Sequence, residues 1–179
     1  MDPDARTHTP LAADEATTVR AFLDYHRDTL RWKVSGLTQE ELARTLPPST
    51  MTLGGMVKHL ALVESNWFEV VLDGAELMMP PFDAIDWDAD RDWDWDSAVH
   101  DTPEQLLALF DEAVARSDKL IDAALAGPNG LDTLSVRTSR RSGNAYSLRW
   151  ILLHMVEEYA RHNGHADLIR ESIDGQVGD

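Results

Sequence analysis

Ser147-Leu-Arg-Trp-Ile-Leu-Leu-His154-Met-Val-Glu-Glu158-Tyr-Ala-Arg-His162-Asn-Gly-His165 reads as a single amphipathic helix. It starts near Ser147, and Trp150, Ile151, Leu153, Val156, Ala160, Leu168 and Ile169 recur along it at the helical period. His154, Glu158 and His162 are spaced by four, which puts them on one face. Three potential metal ligands on one face exceed what packing requires. His162 and His165 form a further i, i+3 pair, and Glu157 would point about a quarter-turn away.

Such a face needs partners, and the rest of the chain supplies three more long helical patterns. The first covers about Asp14 to Lys33, with Val19, Phe22, Leu23, Leu30 and Val34 at helical spacing and Ser35-Gly36 at its end. Thr38-Gln-Glu-Glu41 has the form of a capping box before Pro47-Pro48. The second long helix opens at Thr52 and carries Met56, His59, Leu60, Val63, Trp67, Val70 and Val71 to a stop at Asp73-Gly74. The third opens on Thr102-Pro103 and ends at Gly127-Pro128. No strong strand signal is present, although Leu134-Ser-Val136 forms a short extended candidate. The expected class is all-α, a four-helix bundle with long connections that permit crossover. A single domain spanning 1–179 is expected, with 1–12 flexible.

His59 shares a face with Met56, Leu60 and Val63, the face that should point inward. A buried imidazole needs a hydrogen-bond partner or a metal, and the last helix offers both from its own inner face. Ligands from two helices projecting into a core are how bundles build metal sites. Three protein ligands would leave a position open for water or substrate. Spacing does not decide between His154/Glu158 and Glu158/His162, and a hydrogen-bonded polar layer without metal is the other reading. His8, His26 and His100 lack ligand partners at helical spacing and read as ordinary core or surface residues.

Two connections are long, Glu76 to Asp101 and Pro128 to Tyr146, and long connections often wall a site. The first alternates Asp83, Asp86, Asp88, Asp90, Asp92, Asp94 and Asp96 with Trp87, Trp93 and Trp95. It lacks the glycine and glutamate of a calcium loop. A solvated acidic loop and a lid of aromatic side chains both fit it.

The 179 residues carry 32 acids against 16 bases, a formal charge of −16. That charge argues against nucleic acid and anionic lipid as partners. The one basic cluster, Arg137, Arg140, Arg141 and Arg149, suits a small anion. No cysteine is present, so neither disulfides nor thiolate ligands arise. No apolar run approaches membrane-span length, and the N-terminal residues lack the apolar middle of a signal peptide, so the expected address is cytoplasmic.

Thr52-Leu-Gly-Gly-Met-Val-Lys-His59-Leu-Ala-Leu-Val-Glu64-Ser-Asn-Trp67-Phe, followed by the Ser147 to Asp167 stretch, resembles the DinB-like superfamily. More narrowly it resembles the branch of mycothiol-dependent enzymes that includes maleylpyruvate isomerase, and the resemblance covers roughly Asp14 to Gly175. The resemblance implies a DinB-like four-helix bundle with a crossover connection and one divalent metal, often zinc or nickel. It implies His59, Glu158 and His162 as ligands, with glutamate rather than histidine at 158 as in the mycothiol branch. His154, His165, Arg149 and Trp67 then line the pocket or back the ligands. It further implies a mycothiol-like thiol as nucleophile toward a small electrophile, in detoxifying S-transfer. Isomerisation is not expected, because the isomerase's further C-terminal domain has no counterpart before Asp179. A non-catalytic metal- or ligand-binding bundle is the alternative. A homodimer is expected, with Trp32 and the Trp87/Trp93/Trp95 loop as its covering surface.

Overall fold

Each long helix begins where a short polar side chain serves its first turn. Asp14 accepts from the Thr17 amide and opens α1 (Glu15–Val34), and Thr52 accepts from Gly55 and opens α3 (Leu53–Glu64). Thr102 and Gln105 exchange reciprocal bonds at the start of α5 (Pro103–Ala126), and Ser147 accepts from Trp150 at the start of α6 (Leu148–Asp174). A cap of this kind satisfies an amide the helix cannot, a contribution of about 1 kcal/mol. Thr38 and Glu41 form the expected capping box on the short α2 (Gln39–Leu42). Gly175 ends α6 at φ 80°, a conformation glycine adopts without strain.

The computed structural model describes residues 6–178 and is mostly helical. In it α1 packs along α6 and α3 along α5, while α3 also meets α6. Leu23, Leu30, Met56, Leu60, Phe110, Ile151 and Met155 fill the space between them with no exposed surface. Full burial of side chains this size contributes about 1.5–3 kcal/mol each. Charge is buried there too. Arg27 makes two 2.7 Å bonds to Glu64, and the Tyr159 hydroxyl donates to Glu64 at 2.7 Å. Asp24 and Asp118 accept from the same guanidinium, so α1, α3, α5 and α6 share one network.

Three features depart from the sequence reading. The second helix is not uniform: past Glu64 it widens into a π-helix over Ser65–Asp73, ending at Gly74 with φ 87°. Phe68 and Leu72 still face the core through the wider turns, so the apolar pattern alone does not announce the change. The first long connection is built rather than loose. It contains a 3₁₀ turn at Phe82–Ala84, α4 (Trp93–Asp96) and a second 3₁₀ turn at Ser97–His100. Met79 and Phe82 anchor it in the core, and Trp87 donates to the Phe82 carbonyl at 3.2 Å. The second connection forms an antiparallel hairpin of β1 (Leu134–Thr138) and β2 (Ala145–Ser147), which leans on the π-helical segment. β1 contains the expected extended piece, whereas the three residues of β2 are too few to alternate visibly.

Trp32 is 5% exposed and lies under the Arg6 guanidinium, so it is not part of a free surface for a second copy. Residues 1–5 of the segment expected to be flexible lie outside the described residues. Thr7 is bonded through its amide and hydroxyl to Asp28 of α1. Among the described residues no helix is long and apolar enough to cross a membrane.

Candidate metal centre

α3 and α6 run in opposite directions, so residues just past the first turns of α3 face the middle of α6. That pairing brings His59 to Glu158 and His162, one donor atom from each lying within 4.8 Å of the others. His59 Nε2 is 3.5 Å from Glu158 Oε1, and His162 Nε2 is 3.2 Å from the same oxygen. The three side chains are 20%, 20% and 14% exposed, so the cluster opens toward solvent on one side.

Asp94 backs His59. Its Oδ2 lies 2.7 Å from His59 Nδ1, and its side chain is 3% exposed. An ionised carboxylate only accepts, so Nδ1 carries the shared proton and Nε2 is turned toward Glu158 and His162. A carboxylate behind a ligating imidazole fixes both its ring orientation and its tautomer. Trp95, one residue on, stacks on the His59 ring at 4.7 Å and also approaches His162 at 5.7 Å. Gly55 makes room for it: a Cβ there would meet Trp95 Cε3 at 2.7 Å.

The cluster favours positive charge. Burial alone would lower the pKa of His59, but hydrogen bonds and charge from Asp94 and Glu158 raise it on balance. Hydrogen bonds from His162 and His59 hold the Glu158 carboxyl far below the usual carboxylate range, against its desolvation. His162 Nδ1 is buried with no hydrogen-bond partner among the described residues.

A tetrahedral ion with bonds of about 2.0–2.1 Å has ligand atoms roughly 3.3 Å apart; the two imidazole–carboxylate distances are 3.2 and 3.5 Å, and all three atoms lie within 4.8 Å of one another. Two imidazoles and a carboxylate suit a first-row divalent cation such as zinc or nickel. The donor set fits, and three protein ligands would leave one position of such an ion open.

The other sequence candidates lie elsewhere. His154 sits one turn before Glu158, stacked on Trp150 at 5.1 Å and edge-on to Trp67 at 4.7 Å, within an aromatic cluster that also includes Tyr146. His165 is exposed, with its ring 6.2 Å from that of His162. Arg149 is held by Glu15 and Asp132 rather than by anything at the centre. Arg137 donates to the Ala75 carbonyl, and Arg140 and Arg141 stand exposed on the hairpin turn. Asp94 is the residue that sequence reasoning missed. Ligand spacing cannot reach it, since it comes from a separate segment. It is, however, the one acid of its run with tryptophan on both sides, and those rings carry it inward.

No curated protein matches the chain by sequence. A family model described as Mycothiol-S-transferase matches residues 18–175, which takes in His59, Glu158 and His162 and reaches from the first turn of α1 to the glycine that ends α6. The chain belongs to the mycothiol-S-transferase family.

Proposed function

We propose that this protein is a divalent-metal-dependent S-transferase that joins a mycothiol-like thiol to a small electrophile. The observation that carries the reading is the convergence of His59, Glu158 and His162 on one open point, with Asp94 behind His59, in a chain of this family. In this reading residues 1–179 form one domain, a DinB-like four-helix bundle of α1, α3, α5 and α6. The two long connections wall its site.

His59, Glu158 and His162 would hold the cation. Bound there, it supplies Lewis acidity that lowers the pKa of a thiol and so raises the share of nucleophilic thiolate. The remaining work falls to the chain. Asp94 keeps the Nδ1 proton of His59 away from the ligand side. Trp95 covers one side of His59 and limits water there. The partial exposure of the three ligands leaves the thiol and electrophile a way in. In the transfer the thiol proton passes to solvent, a sulfur–carbon bond forms, and the bond from that carbon to its leaving group breaks, the leaving group keeping the electron pair. Family membership favours this reading over a non-catalytic metal-binding bundle.

Monochlorobimane tests it, because displacement of chloride by thiolate makes a fluorescent conjugate. Protein loaded with zinc or nickel should conjugate mycothiol, and turnover should require the added thiol. His59→Ala, Glu158→Ala and His162→Ala should each lose the metal by elemental analysis and the activity with it. Metal retained in all three variants, or conjugation indifferent to metal and to His59, would sink the proposal.

A further inference from the structure

The π-helical end of the second long helix faces a cleft of about 800 Å³ between Trp67 and the β1–β2 hairpin. Its lining is polar and aromatic at once. Asn66 and Tyr146 bring an amide and a phenol, Trp67 and Tyr146 meet edge-on at 5.2 Å, and Arg137, Arg140 and Arg141 close the hairpin side. Although acids outnumber bases two to one, Arg140 and Arg141 have no carboxylate partner among the described residues, and Arg137 donates to a backbone carbonyl. Arg20, Arg27, Arg31, Arg116, Arg149, Arg161 and Arg170 are all ion-paired. Among the described residues Arg44 and Arg91 also lack an ion pair, but only here do three such arginines line one cleft. One acid, Glu76, lines the cleft. Three guanidinium groups therefore keep donors available around one concave space that also holds the rings of Trp67 and Tyr146.

The cleft has a fixed relation to the centre. Asn66 follows His59 by seven residues, two helical turns, so the near wall lies on the same side of the helix about 10 Å along. Trp67 bridges the gap, touching His154 one turn from Glu158. The thiol can span that distance. Mycothiol is an N-acetylcysteinyl amide of glucosaminyl-inositol, and about eight bonds separate its sulfur from the inositol ring, a reach of roughly 10 Å. Sugar and inositol rings present apolar faces to aromatic side chains and rows of hydroxyls to a guanidinium fork.

We propose that the cleft between Trp67 and the hairpin is the subsite for the glucosaminyl-inositol tail of the thiol, with Trp67 and Tyr146 as stacking faces and Arg137, Arg140 and Arg141 as donors to its hydroxyls. The assignment rests on the S-transferase reading and adds to it a basis for choosing among thiols. The enzyme selects by tail length, because a thiol without the tail leaves the cleft empty.

Two measurements test this. The first compares mycothiol with N-acetylcysteine as cosubstrate of the metal-loaded enzyme and of R140A/R141A, whose altered residues are exposed. The ratio of their kcat/KM values should fall about tenfold or more in the variant, the effect expected for losing two donors to the tail. An unchanged ratio overturns the subsite. So does a loss that follows the negative charge of the electrophile and not the thiol, which would make the cleft an anion site. The second uses no turnover: the fragment glucosaminyl-inositol is titrated into metal-free protein and followed by tryptophan fluorescence. It should quench the native protein, and more weakly Trp67→Leu and R140A/R141A. Quenching identical in all three proteins overturns the proposal. Quenching that depends on these residues, in a protein that transfers no thiol, would leave the subsite standing while the S-transferase reading fell.

Discussion

Two polar clusters occupy the interface of α3 and α6, and they are built on adjacent residues. Tyr159 turns inward to Glu64 and Arg27, while its neighbour Glu158 turns to His59 and His162. The first cluster is closed. Arg27 and Glu64 are 1% and 0% exposed, the pair is bidentate, and Asp24, Asp118 and Tyr159 take up the remaining donors and lone pairs. The second is incomplete: three donor atoms converge on a half-open point, and His162 Nδ1 has no partner. A buried polar group that supplies its own counter-charge holds helices together. One whose polar atoms gather at a partly exposed point, with a buried ring nitrogen unpartnered, has bonding capacity to spare.

The sharpest contrast should be in stability. Arg27→Ala strands the Glu64 carboxylate in the core, and breaking a buried pair this way costs about 3–5 kcal/mol. Guanidinium denaturation should show that loss, and Arg27→Met with Glu64→Leu and Tyr159→Phe should recover most of it, since the apolar set strands neither a core charge nor the Tyr159 hydroxyl. His59→Ala removes a partly exposed ring but also leaves the buried Asp94 without its partner, so it should cost less than Arg27→Ala, about 1–3 kcal/mol. If the two single variants proved equally destabilising, the distinction between a closed and an open cluster would fail.

Metal affinity comes next. Asp94→Asn keeps the size of the side chain but replaces a charged acceptor behind His59 with an amide. Loss of such a backing contact weakens binding about 10–100-fold. Competition with a chelator should measure it, with denaturation midpoints nearly unchanged. Affinity equal to wild type would reduce Asp94 to a packing residue.

How much of this was legible in the chain depends on how local the signal is. Helix starts at Thr52, Thr102 and Ser147 come from caps, which act within one turn, and each appears where it was expected. Family resemblance singles out His59, Glu158 and His162, because spacing alone leaves His154 in contention. The structure brings the three together and sets His154 among tryptophans. The π-helix after Glu64 left no trace, because widening the turn keeps the same residues inward. Nor did β2, or the contact of Asp94 with His59, which depends on how a separate segment folds back over α3.

The closed cluster also predicts an acid response. Burial pushes the Glu64 carboxyl up, but the Arg27 charge and hydrogen bonds from Arg27, Ser117 and Tyr159 outweigh it and hold its pKa below the ordinary 4.5. Below pH 4.5 the unfolded chain takes up this proton while the native state refuses it. The stabilisation is therefore complete above that pH and is lost as pH falls toward the depressed native value, at no more than about 1.4 kcal/mol per pH unit. Denaturation midpoints from neutral pH downward should fall more steeply for wild type than for Glu64→Gln. Other acids contribute alike to both proteins and cancel. Parallel slopes would mean that Glu64 is not the charged partner of Arg27.

The smallest effect concerns the wall of the open cluster. Gly55 lies in the first turn of α3 beneath Trp95, and an added methyl would sit 2.7 Å from the indole. Alanine is the better helix former by about 1 kcal/mol, while overpacking costs about 1–3 kcal/mol. The two nearly offset, so Gly55→Ala should move stability by only about 1 kcal/mol. The same indole stacks on His59 one turn further along α3, so a shift that relieves the clash disturbs the stacking. Tryptophan fluorescence and metal affinity should both shift, the latter only a few-fold, in a variant whose denaturation midpoint scarcely moves. A Gly55→Ala protein that binds metal and fluoresces as wild type does would show that Trp95 lies over His59 without helping to hold it.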